Sequence, residues 1–151
     1  MIDRVTPTPT LPDARMRLAS RLLAAGAGIL GLALVIASRG LEPDPRGYGT
    51  HEQLGLSPCI FQKWTGRVCP ACGTTTAWAH ALRGDIRQAA AANLGGTLLC
   101  AVVVVGAPWL FSSAFAGRWL VVRPTLRWVL AAGTAWLAVA LLDWLRRWHF
   151  G

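Results

Sequence analysis

Leu94–Phe115, LGGTLLCAVVVVGAPWLFSSAF, is a run of 22 residues without a charge. At a rise of about 1.5 Å per residue, about 20 residues cross the hydrocarbon core of a bilayer. A soluble helix of that length needs a polar face, and this one has none. The run therefore reads as a membrane-spanning helix, and that reading sets the class of the chain. Gly106 and Pro108 inside it are compatible with a span, because neighbouring helices re-satisfy the carbonyl that a proline frees.

Two further runs lie to either side. Leu22–Ser38 carries no charge between Arg21 and Arg39, and Met16, Leu18 and Ala19 extend it. Trp128–Leu142 is apolar and continues past Asp143 to Leu145. Arginines flank the runs in short groups: Arg15, Arg17 and Arg21; Arg118, Arg123 and Arg127; Arg146 and Arg147. Flanking arginine anchors membrane helices, and so does tryptophan. Trp109, Trp119, Trp128, Trp144 and Trp148 all fall near expected helix ends. The expectation is an all-α membrane protein with about three transmembrane helices, near residues 16–38, 94–116 and 127–146. A short amphipathic helix is expected after a cysteine-bearing loop. Residues 16–151 read as a single membrane domain behind a Pro/Thr-rich tail at 1–15, whose composition predicts disorder. The first run has a competing reading, in which residues 1–37 are a cleaved leader. Arginines precede it and Val35-Ile36-Ala37 resembles a small-residue cleavage site, but the run is long for a leader's apolar segment.

Composition agrees with the membrane reading. The chain is 54% hydrophobic and 15% charged, where soluble domains carry about 25% charged residues. The net charge of +8 does not imply nucleic acid, since no basic stripe with interleaved aromatics lies in a polar segment. The implied partner is the lipid bilayer. Another membrane protein or a second copy is a further candidate. Small residues at 24/28 and 27/31 would let another helix approach the first run closely, a spacing common by chance in Ala/Gly-rich segments. The arginine-bearing N-terminal segment and the 117–127 turn favour the cytoplasmic side. A multi-pass inner-membrane protein with the 39–92 segment facing the periplasm follows, although Arg146 and Arg147 oppose that orientation.

Chemistry concentrates in the loop 39–73, where Pro43, Pro45, Gly47 and Gly49 break regular structure. His51, Cys59, Cys69 and Cys72 fall in the pattern H-x7-C-x9-C-x2-C. Three readings stand open. Cys59, Cys69, Cys72 and His51 would supply the four N/S ligands of a structural zinc site, with Cys69 and Cys72 as the usual close pair. Cys69-Pro70-Ala71-Cys72, just before a helix start, would instead be a redox pair whose first thiolate is stabilised by the helix dipole. Or the loop holds a plain disulfide with one cysteine left over. Cys59, Cys69 and Cys72 are expected to converge with His51 within ligand reach, because the loop's apolar anchors make a small core and small cores need a staple. Cys100, within the second run, reads as a small hydrophobe.

Beyond the loop, Thr74-Thr75-Thr76 are suited to cap a short helix at 74–83, with Trp78 and Leu82 facing the bilayer surface. His80 is a poor fourth ligand, since helix rise carries it away from Cys72. Asp85 with Gln88 fits a capping box for a helical lead-in at 85–93, and Asn93-Leu94-Gly95-Gly96 is placed to bend it.

The segment 54–96, LGLSPCIFQKWTGRVCPACGTTTAWAHALRGDIRQAAAANLGG, resembles the bacterial membrane proteins of domain of unknown function family 2752. The likeness rests on Cys69, Pro70, Cys72, Gly73, Thr75, Arg83, Gly84, Asp85 and Asn93, with His51 and Cys59 in the longer form of the family. Thr76 stands where many members have arginine, and Leu94 where proline usually follows the asparagine. The resemblance implies a polytopic inner-membrane protein and brings no established activity.

Function is accordingly read as a non-enzymatic membrane module with a zinc- or disulfide-stapled loop. The alternative is a membrane thiol–disulfide oxidoreductase using Cys69 and Cys72, for which a second C-x-x-C relay is missing from the sequence. A transporter is disfavoured, since Asp143 is the one ionisable group within a run and ion paths usually show more. No Ser-His-Asp set, phosphate-binding glycine loop or carboxylate pair can be made out.

Overall fold

The computed structural model describes residues 15–150, so the tail expected over 1–15 lies outside it except for Arg15. Three helices are long and apolar enough to cross a membrane. They are α1 (Leu18–Gly40), α5 (Leu94–Ala116) and α6 (Leu126–Phe150). Between α1 and α5 lie a 3-10 turn, Thr50–Leu54, and three short helices: α2 (Ile60–Thr65), α3 (Thr74–Ala81) and α4 (Ile86–Ala92). No named strand occurs among the described residues.

The main helix pairing is α1 against α5. Ala24, Gly28, Gly31 and Ser38 are the buried residues of α1, at intervals of four, three and seven that keep one narrow seam on the partner. A Cβ at Gly28 would stand 2.8 Å from the Phe111 amide nitrogen, and one at Gly31 would stand 2.7 Å from the Ala107 Cβ. The small residues thus bring the backbones close, which is how helices gain dispersion contact where lipid offers no hydrophobic drive. Of the expected small-residue spacings, 24/28 lies in the seam, whereas Ala27 is exposed. Around the seam, Leu22, Leu23, Ile29, Val102 and Phe115 are exposed, as side chains against lipid should be.

At one end of the α1–α5 pair, Arg21 closes the C-terminus of α5. Its Nε donates to the Ala114 carbonyl at 2.6 Å and its Nη2 to the Phe115 carbonyl at 3.1 Å. A cation there satisfies orphan carbonyls and the helix dipole together. α6 packs on α5 at the opposite end, where Ala140 abuts Gly95 and the Trp136 indole donates to the Gly95 carbonyl at 2.9 Å. The first part of α6, Leu126–Ala138, is exposed throughout.

Two local expectations change. The threonines do not cap α3. Its N-cap is Gly73, with no side-chain cap bond; Thr74 Oγ1 donates backward to the Ala71 carbonyl. Trp78 does not face the bilayer surface; it is 6% exposed and belongs to the core with Ala77 and Ala79. α3 packs against α4, α5 and α1, and that burial takes the indole inward. The helix break before α5 forms at Asn93 with leucine, not proline, following it. Asn93 is extended at φ −165° and caps α5, its Oδ1 accepting the Gly96 N–H at 2.7 Å.

Candidate three-cysteine site

The site is built on two reversals. Gly66, at φ +68°, ends α2 in the left-handed conformation, which glycine adopts at no steric cost. The chain then returns through Val68 to the C-P-A-C turn, which is closed by the Cys72 N–H on the Cys69 carbonyl at 3.1 Å. Cys59, immediately before α2, meets this turn. The Sγ atoms of Cys59, Cys69 and Cys72 all lie within 4.8 Å of one another. All are free thiols, Cys72 buried and the other two half-buried. The Cys72 and Cys69 sulfurs are 2.7 Å apart. That is longer than a disulfide bond of about 2.05 Å and shorter than the edge, near 3.8 Å, of a tetrahedron built on Zn–S bonds of about 2.3 Å.

The thiols are not equivalent. The Gln62 N–H, then the Cys72 and Cys69 thiols and the Phe61 N–H, hold Cys59 below the ordinary thiol value against the opposing effect of burial. Burial pushes Cys72 up to about 12, and its neighbours Cys69 and Cys59 add to the rise. Hydrogen bonds to a thiolate favour it, and an apolar shell favours the proton. The depressed thiol is therefore Cys59, at the start of α2. A cation binding here would displace the remaining protons, since the thiolate is the ligand form.

A cavity of about 310 Å³ opens onto the three sulfurs. Its wall includes His51, Tyr48, Glu52 and Gln62. His51 thus shares the cavity but is not among the mutually close ligand atoms. His80 is engaged elsewhere, its Nδ1 3.3 Å from Asp85 Oδ2, while Asp85 Oδ1 accepts the Gln88 N–H at the start of α4. Cys100 is buried within α5.

The turn carrying Cys69 and Cys72 is clamped from below. Asn93 Nδ2 donates to the Pro70 carbonyl at 3.1 Å and the Cys72 carbonyl at 3.0 Å. Arg147 reaches the same two oxygens, Nη1 to Cys72 at 3.1 Å and Nη2 to Pro70 at 3.3 Å. Asp143, its side chain 2% exposed, holds Arg147 at 2.9 Å and Arg146 at 2.8 Å. It also accepts the Leu94 N–H at 3.2 Å. The Trp144 indole donates to the Val68 carbonyl, and Arg67 donates to the Trp148 carbonyl while lying over the Trp148 ring. On the far side, Thr50 and Thr76, both fully buried, share a hydroxyl bond of 2.8 Å that ties the 3-10 turn to α3.

Sequence reasoning passed over this clamp. Asp143 reads as an acid at the end of a span, and Arg146 and Arg147 as flanking anchors. The available signal was the spacing: one acid followed by bases at i+3 and i+4 shares a helix face with both.

Three helices able to span a membrane and a thiol cluster held at one end of two of them define a multi-pass α-helical membrane protein with a cysteine knuckle. Residues 59–107 match the family model described as protein of unknown function (DUF2752), the family that the C-P-A-C-G segment resembles. The match ends within α5, so Asp143, Arg146 and Arg147 lie beyond it. No curated protein and no solved structure matches the chain.

Proposed function

We propose that this protein is a non-enzymatic membrane module whose extramembrane loop is stapled by one zinc ion held by Cys59, Cys69 and Cys72, with His51 completing the set from across the cavity. The convergence of three sulfurs within 4.8 Å on a cavity that His51 also lines carries this reading. Zinc takes four N/S ligands in closed structural sites, and soft thiolates select it over magnesium or calcium. A disulfide would occupy two sulfurs and leave the third without a role. Residues 16–151 act as one membrane domain, because the knuckle is bonded to both α5 and α6. The module sits in the inner membrane with its knuckle toward the periplasm. If all three helices cross, the cysteine loop and the end of α6 fall on one side, which agrees with the bonds between them.

One observation favours a second reading, a thiol–disulfide oxidoreductase using Cys69 and Cys72: their sulfurs stand 2.7 Å apart. Oxidising that pair releases two protons and two electrons to an external acceptor. Among the described residues only Cys59 lies close enough to join such an exchange.

X-ray absorption of zinc-loaded protein separates the readings. The zinc site predicts three sulfurs at about 2.3 Å and one nitrogen at about 2.0–2.1 Å, with the nitrogen lost in His51→Ala. A shell of oxygen or nitrogen alone contradicts it.

A further inference from the structure

The Pro70 and Cys72 carbonyls each receive two donors, one from Asn93 and one from Arg147. Doubling on both carbonyls of a ligand-bearing turn fixes its orientation from two independent elements, the N-cap of α5 and the last turns of α6. Arg147 is itself held, its side chain 10% exposed and its Nε on a carboxylate that is 2% exposed. A buried carboxylate in this position needs a reason, since desolvating it is costly unless it is paired and hydrogen-bonded. Asp143 has two guanidiniums and the Leu94 N–H. A divalent cation on three thiolates and a neutral imidazole leaves one net negative charge, and the Arg147 guanidinium is bonded to the turn that carries two of those thiolates.

We infer that Arg147, oriented by Asp143, is a positioning residue for the cysteine cluster: it sets the geometry of the Cys69–Cys72 turn and supplies the charge that complements a metal–thiolate centre. The inference rests on the zinc reading above. Outer partners of this kind orient metal ligands and tune affinity, and removing one costs about 10–100-fold in binding. Arg147 differs from an ordinary anchor because its fork spans two carbonyls and a carboxylate, which a lysine ammonium cannot reproduce.

The test uses the full chain in detergent, stripped of metal and titrated with Co²⁺ and Zn²⁺ against a competing chelator. Arg147→Gln should bind about 10–100-fold more weakly and shift the thiolate-to-cobalt charge-transfer band. Arg147→Lys should recover part of the affinity while leaving the band displaced, because charge returns without the fork. Arg146, whose side chain is 57% exposed and whose polar partner among the described residues is Asp143, is the control: Arg146→Gln should change affinity by less than about threefold, as exposed pairs contribute little. Asn93→Asp keeps an oxygen for the Gly96 N–H but loses the two carbonyl donors, and should reproduce the band shift. Wild-type affinity and spectrum in both Arg147 variants would overturn the inference. Wild-type protein that takes up no Co²⁺ or Zn²⁺ sinks the zinc reading instead. The positioning role is then judged on alkylation of metal-free Cys72, which must be faster in Arg147→Gln than in wild type; an equal rate overturns it. If Arg147→Gln does not purify as one species, Arg147→Lys and Asn93→Asp carry the same comparisons.

Discussion

Gly73→Ala should destabilise this protein far more than an equivalent change at a neighbouring turn. Gly73 follows Cys72 at φ +87° and ψ −4° and serves as the N-cap of α3. A methyl group there would lie 2.6 Å from the Ala92 carbonyl oxygen and 2.8 Å from the Gly47 carbonyl oxygen. Both are backbone atoms, so relief requires moving the end of α4 or the 44–49 turn. The left-handed conformation costs a residue with a Cβ about 1–2 kcal/mol, and the overlap adds about 1–3 kcal/mol as overpacking. The sum is about 2–5 kcal/mol, a large part of a typical folding free energy of about 5–15 kcal/mol. Gly84 is the matched control: its φ is also +87°, with nothing within 4 Å of its Cβ position. Gly84→Ala should therefore lose only the conformational part, about 1–2 kcal/mol. Reversible unfolding in mixed detergent–SDS micelles, followed by tryptophan fluorescence, gives both values. Equal losses at the two positions would refute the argument that Gly73 is required by close packing behind the cysteine turn.

Other expectations follow from the helix seam, the thiols and the topology. Gly28→Leu should disrupt the α1–α5 pair, since even a Cβ meets the Phe111 backbone at 2.8 Å. Gly26→Ala, with open space around it, should stabilise by about 0.5–1 kcal/mol; the same unfolding assay ranks them, and the reverse order would place the seam wrongly. In metal-free protein, alkylation followed by peptide mapping should show Cys59 reacting at lower pH than a free thiol and Cys72 still protected as pH approaches 12. The stability contributions run in opposite senses. That of Cys72, whose folded value is raised, is intact below the unfolded value of about 8.5 and is lost as pH climbs toward 12. That of Cys59, whose folded value is lowered, is present above the unfolded value and is lost as pH falls through the folded one. A cysteine at exposed Lys63, in a variant lacking the native loop thiols, should react with an impermeant maleimide in intact spheroplasts; labelling only after lysis reverses the orientation.

The spans were legible because length and absence of charge act locally: Leu94–Phe115 needs no knowledge of its neighbours to be read. The convergence of Cys59 with Cys69 and Cys72 was legible for a related reason, since Gly66 and the C-P-A-C turn are local reversals that the residues themselves announce. The clamp was not. Arg147, held by Asp143, donates to carbonyls more than seventy residues away in sequence, and backbone oxygens carry no residue signature. Arg146 and Arg147 look like topology signals, yet both are bound to Asp143. Gly73 reads in sequence only as part of the motif; its requirement comes from the Ala92 and Gly47 carbonyls, which only the fold brings near. Thr50 and Thr76 show the same blindness, because a buried hydroxyl pair looks like ordinary polar sequence until both ends are placed.

The central claim is that the three loop cysteines hold one metal ion. Metal content and free-thiol count, measured together on detergent-purified wild-type protein, test it most directly. The account predicts one zinc per chain, with Cys59, Cys69 and Cys72 slow to alkylate until a chelator removes the metal, and zinc lost from Cys59→Ser. Purified protein without metal, also unable to take up zinc, in which Cys69 and Cys72 become reactive only after a reductant is added, would contradict it and establish the pair as a disulfide.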